Sequence, residues 1–308
     1  MMRIFSVTRA LVPGLVLIGL VGTAHADLKV VSKMTMDAPA MGGLGGLGGG
    51  APATPKPGEA VKSVTYYKGS KVRTEDAAGI ITVTDNEAGT ITRIDPKKKT
   101  YSTIKLTELT EQLTGAGGPG AQFMEMLDMK VKADVKKGGH EREIAGKKAT
   151  DYLWTATMSM SLKGAAEGAG GIAGEVANIS MEGEQWTTED VKLPGTPATA
   201  KTAAAPALPG LGGGMMGGMM KMMNNMPGMK TMMDKLAEIK GFSLLTNMKI
   251  KIKSPFAEAQ GADLSKPITN TTEVLELSEA ALDDTLFAVP AGFKKVAYET
   301  PQLPGFGG

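Results

Sequence analysis

Thioether sulfur is the reactive group this chain supplies most densely. Met215–Met233 holds ten of its 22 methionines in nineteen residues, and the chain contains no cysteine. Thioethers are soft ligands that favour Cu(I), and the doublets Met219-Met220 and Met222-Met223, with Met226, could bring three sulfurs to one copper or silver ion. Methionine is also unbranched, with three rotatable bonds, so it adapts to irregular apolar surfaces and serves as a cover over a cavity. A third reading is a low-complexity connector whose methionines partly pack and partly face solvent. The segment lacks His and Cys, and this favours the cover over the metal site.

Other chemistry is sparse. His25 lies in the leader discussed below, which leaves His140, in Gly138-Gly139-His140-Glu141, as the single imidazole of the remainder. It could act as a base with Glu141 or Glu143, although a lone turn histidine is ordinarily a solvated side chain. Without cysteine, Cys–His catalysis is excluded, and a Ser–His–Asp triad has one candidate base. Sites with several imidazoles around a metal are excluded as well. The run GGLGGLGGG falls between strands rather than opening a helix, so it is no phosphate loop. Asp283-Asp284 reads as an exposed turn pair. The chain is therefore expected to be non-enzymatic and without a cofactor.

Localisation follows from the first 26 residues. Arg3 and Arg9 precede the apolar run Leu11–Val21, and Ala24-His25-Ala26 is a small-x-small cleavage site. This is the signature of a signal peptide cleaved after Ala26, implying a periplasmic or secreted protein. The apolar run is shorter than the roughly 20 residues a membrane helix needs, and no second one of that length follows. The whole chain has 34 Lys+Arg and 32 Asp+Glu; removing two arginines leaves 32 against 32. A net charge of zero gives no basic surplus for nucleic acid.

Hydrophobic periodicity then predicts the elements. Strands are expected at Asp27–Asp37, on both sides of Lys68-Gly69-Ser70 within Val61–Asp76, at Ile80–Thr84, Thr90–Asp95 and Thr100–Leu106. Thr107–Leu113 and Gln122–Met129 read as helices, the second with Phe123, Met126 and Leu127 on one face. Strands resume at Lys130–Lys136, Glu143–Ala145, Thr150–Leu162 and Glu175–Thr188. Pro227–Lys240 reads as an amphipathic helix with Met229, Met232, Met233, Leu236 and Ile239 on its apolar face. Ser243–Lys253 and Thr269–Leu277 alternate as strands. The expectation is nine to eleven strands with two or three helices in a single α+β domain over 27–300. Flexible Gly/Pro/Met-rich insertions are expected at 38–59 and 194–228, and a frayed tail at 301–308.

Four runs read together resemble a bacterial exported family, domain of unknown function 4412. They are Tyr66-Tyr67-Lys68-Gly69-Ser70-Lys71-Val72-Arg73, the run Ile144–Tyr152, Glu184-Gln185-Trp186-Thr187-Thr188, and Phe287-Ala288-Val289-Pro290-Ala291-Gly292-Phe293. That family is more distantly similar to the periplasmic lipoprotein carriers LolA and LolB. The resemblance implies an open antiparallel half-barrel closed on one side by helices, around an apolar cavity for acyl chains. It carries no catalytic residues. On this reading the chain holds a lipid, an acylated protein or another apolar ligand. Phe123, Met126, Leu127, Met229, Met232, Met233 and Leu236 would form the cover, and Trp154 and Trp186 would line the cavity. The alternatives are a soft-metal protein using Met219, Met220, Met222, Met223 and Met226, or a ligand-free envelope scaffold.

Overall fold

The computed structural model describes residues 26–37, 57–109, 127–163, 175–194, 228–255, 258 and 264–298. The leader, most of the two insertions and the tail lie outside the described residues.

Among the described residues twelve strands form one sheet. In chain order they are β1 (Leu28–Asp37), β2 (Ala60–Lys68), β3 (Lys71–Glu75), β4 (Ile81–Asp85), β5 (Thr90–Asp95) and β6 (Thr100–Lys105). Then come β7 (Leu127–Ile144), β8 (Lys147–Leu162), β9 (Glu175–Thr188), the helix α1 (Met229–Leu236), β10 (Phe242–Lys253), β11 (Ile268–Glu279) and β12 (Lys294–Lys295). Two antiparallel meanders meet on the first strand. β2 to β6 run outward from one side of β1, while β7 to β11 start at the far edge and return, so that β11 pairs with its other side. β12 adds to β6 in parallel.

This corrects the expected α+β half-barrel. The sheet is open and mixed, and it dominates the fold. Among the described residues the helical pieces are α1, a 3-10 turn at Asp284–Phe287, residues 106–109, which are helical as expected at the start of Thr107–Leu113, and residues 255 and 258. Among the described residues no set of helices closes one side. The expected helix over Gln122–Met129 fails where it can be checked, because Leu127, Asp128 and Met129 open β7, with Leu127 opposite Leu162. Three apolar residues at helical spacing also fit a strand when the run is short, and pairing with β8 decides the matter. That pairing also merges the two strands expected at Lys130–Lys136 and Glu143–Ala145 into the 18-residue β7, irregular between Lys137 and Glu141. Ala145 and Gly146, both at positive φ, make the two-residue turn into β8.

Alternation divides the core. Tyr66 packs with Ile81, Val83, Ile94 and Phe287, whereas its neighbour Tyr67, pointing the other way, joins Leu28, Val30, Leu244 and Val274. A further cluster lies at the opposite end of the sheet, under α1.

Candidate functional site

The α1 end is built from β8 outward. Tyr152, Trp154 and Ala156 are buried on one side of the strand, while Leu153 and Thr155 are exposed on the other. Register sets Trp154 opposite Val135 on β7 and Gly183 on β9, and Gly183 opposite Met248 on β10. The indole lies across Gly183: a Cβ there would stand 2.6 Å from Trp154 Nε1. Glycine is required because the ring occupies the space a side chain would take.

α1 covers this face. Met229, Met232 and Leu236 recur at intervals of three and four residues and are buried, with Ile239 just beyond the helix. They pack with Tyr152, Trp154 and Ala156, flanked by Val131, Ala133, Val135, Met158, Met181 and Met248. Lys230 and Asp234 pair on the solvent side. Burying a methionine side chain contributes about 1.5–3 kcal/mol, and this packing is what makes so short a helix stable. Its ends are lightly secured. Gly228 precedes it at φ 80° with no side-chain cap, and the first turn holds no acid. Beyond the last turn, the Thr187 hydroxyl donates to the Lys240 carbonyl at 2.6 Å, and Gly241 at φ 93° passes close to the Thr188 carbonyl.

Polar groups are buried on the same sheet face. Gln185, paired with Tyr152, is 0% exposed. Among the described residues neither its Nε2 nor its Oε1 has a hydrogen-bond partner, and Trp154 Nε1 has none. Unpaired burial of this kind costs about 1–3 kcal/mol per group.

The expected site residues separate accordingly. Met229, Met232, Leu236 and Trp154 come together, and Met233 is half-buried on the flank of α1. Trp186 does not join them. It lies on the other side of β9 from Gly183 and Gln185, opposite Asp151, and belongs to the cluster around Leu28, Val191 and Leu244. There its Nε1 donates to Glu184 at 2.9 Å and the Arg142 guanidinium stacks 4.0 Å from its ring. Phe123, Met126 and the five methionines Met219, Met220, Met222, Met223 and Met226 lie outside the described residues. Gly183 and Gln185 carry no sequence signal as site residues, since the β8 residues that face them are set by register.

His140 is less solitary than its turn suggests. Its backbone N–H donates to the buried Asp151 carboxylate at 2.8 Å, and its Nδ1 lies 2.9 Å from the other oxygen. A side chain at Gly138 would collide with that carboxylate. Burial pushes the Asp151 carboxyl up, but hydrogen bonds from the His140 side chain and backbone outweigh it and hold the group below its usual range. The same bond, aided by the Asp151 charge, raises His140. The pair ties down the irregular part of β7. Among the described residues no group of three or more His, Cys, Asp or Glu is placed to hold a metal ion.

On the opposite face of β8–β11 lies a shallow groove of about 450 Å³ lined by Leu153, Thr155, Glu182, Asn247, Lys249 and Thr271. No helix among the described residues is long and apolar enough to cross a membrane. Compared with known proteins, the chain matches no protein-family model and no curated protein.

Proposed function

We propose that the protein is an exported, non-enzymatic holder of an apolar ligand, a lipid or an acylated protein, with α1 as a displaceable cover over β7–β10. One observation carries this reading: a short, uncapped, methionine-faced helix is held on a Trp/Met-rich sheet face almost wholly by apolar contact. Methionine makes such a cover adaptable, because the thioether chain repacks around differently shaped ligands with little loss. A lightly secured helix also belongs to the low-stability part of a fold, where movable elements are found.

Native mass spectrometry of protein purified from the periplasm without detergent tests the proposal. The expected result is a mass excess that releases as fatty-acyl species and is lost from a Met229→Gln/Met232→Gln double variant. Equal retention by that variant would sink the cover. An excess matching copper or silver would move the function to thioether ligation at Met219–Met226.

A further inference from the structure

The buried amide of Gln185 and the indole nitrogen of Trp154 have no task in the closed fold. Leucine or methionine at 185 would occupy the volume without an unpaired group, as Met181 and Met248 do on the same apolar surface. Arg73 is the nearest parallel among the described residues, with a buried Nη1 that has no partner. Its guanidinium is nevertheless used, paired with Glu75 at 2.8 Å and resting 5.1 Å over Tyr66. Gln185 and Trp154 Nε1 have no such use.

Their placement is mutual. Gln185 stands two residues from Gly183 on the same face of β9, about 7 Å along the strand. Trp154 Nε1 sits above Gly183, so the indole N–H and the Gln185 amide belong to neighbouring positions on one face of β9. Together they offer two kinds of N–H donor and one carbonyl acceptor. A carbonyl oxygen would accept from Trp154 Nε1, and the N–H on the opposite side of a trans amide would donate to Gln185 Oε1. An ester satisfies the indole donor but leaves that oxygen unpaired. A carboxylate would bring an unpaired charge against buried apolar side chains. A secondary amide pairs the indole N–H through its carbonyl and Gln185 Oε1 through its N–H.

We infer that Trp154 and Gln185 form the polar end of the site beneath α1, and that this site takes an amide-linked acyl chain. The inference rests on α1 being displaceable, as proposed above. An N-acyl lipid and an N-acylated protein terminus both supply this amide; the recognised group is the same.

Titrating delipidated full-chain protein with hexadecanamide, methyl hexadecanoate and hexadecane, followed by tryptophan emission, tests it. Hexadecanamide is expected to bind about tenfold tighter than hexadecane, the effect of one well-made buried hydrogen bond, with the ester between them. Gln185→Leu should erase that preference, keep hexadecane binding and unfold at the same or a higher temperature. Should Gln185→Leu fail to fold, Gln185→Met carries the same comparison. Equal wild-type affinity for the three probes, or a preference that survives in the variant, overturns the amide assignment while hexadecane binding preserves the apolar-holder reading. If no probe binds, both fall. Given a preference for hexadecanamide, an N-palmitoylated peptide that binds as tightly would point to a protein source, and one that binds no better than hexadecane to a lipid.

Discussion

Over β3–β6, the chain from Leu282 to Phe293 is fastened by polar bonds at many points, whereas over β7–β10 α1 is fastened chiefly by methionine. In the first region the Leu282 N–H donates to Asp27 at 2.9 Å, Lys68 donates to the Leu282 carbonyl, and Lys68 pairs with Asp284 at 2.9 Å. Asp283 caps Thr285, and the backbone of Lys294 and Val296 bonds to β6 and its preceding turn. The core beneath is branched and aromatic: Ile81, Val83, Ile94 and Phe287. In the second region the core is Trp154 with Met229 and Met232, and the polar tie to the segment after the helix is Thr187. β-Branched and aromatic side chains have few rotamers and fix one packing, while methionine allows several. The sheet thus separates a region that secures the fold from one that can yield.

The sharpest way to break that comparison is a matched pair of core substitutions. Phe287→Ala should lower unfolding stability by about 3–5 kcal/mol in urea titration. Met232→Ala, a truncation at similar burial, should cost less, about 2 kcal/mol, since the flexible side chains around it can close on the space left. Equal losses would mean that both regions are packed with the same rigidity.

Gly183→Ala probes the contact on which the yielding region rests. The added methyl meets the Trp154 ring, and the expected cost is about 1–3 kcal/mol with a shift in tryptophan emission. An unshifted spectrum would place the ring elsewhere.

The smallest effect is expected at the His140–Asp151 pair. His140 is raised from its ordinary 6.5, so its contribution is full below that value and is lost as pH rises through the raised one. Asp151 is lowered from 3.8, so its contribution is present above 3.8 and is lost as pH falls through the lowered value. Both are in force between about pH 4 and 6.5, and melting temperature should show a shallow advantage there. His140→Ala should flatten it; an unchanged profile would dismiss the pair as a stabilising contact.

Local pattern carried much of this. The alternation in Glu175–Thr188 is β9, and the three- and four-residue spacing of Met229, Met232 and Leu236 is the buried stripe of α1. Those periods are properties of a few adjacent residues, so sequence alone determined them. It also determined the absence of cysteine, and with it the absence of disulfides and thiolate chemistry. Tertiary structure decided the rest. Leu127 lies in a strand because β8 pairs with it. Trp186 parts from Trp154 because one faces Asp151 across the ladder and the other faces Gly183. Gln185, buried and unpaired, shares its face with Gly183 because β8 sets Tyr152 and Trp154 opposite the two. Side-chain direction follows from strand period, but which partner stands opposite depends on register between segments dozens to hundreds of residues apart. A one-residue slip would have exchanged every such assignment.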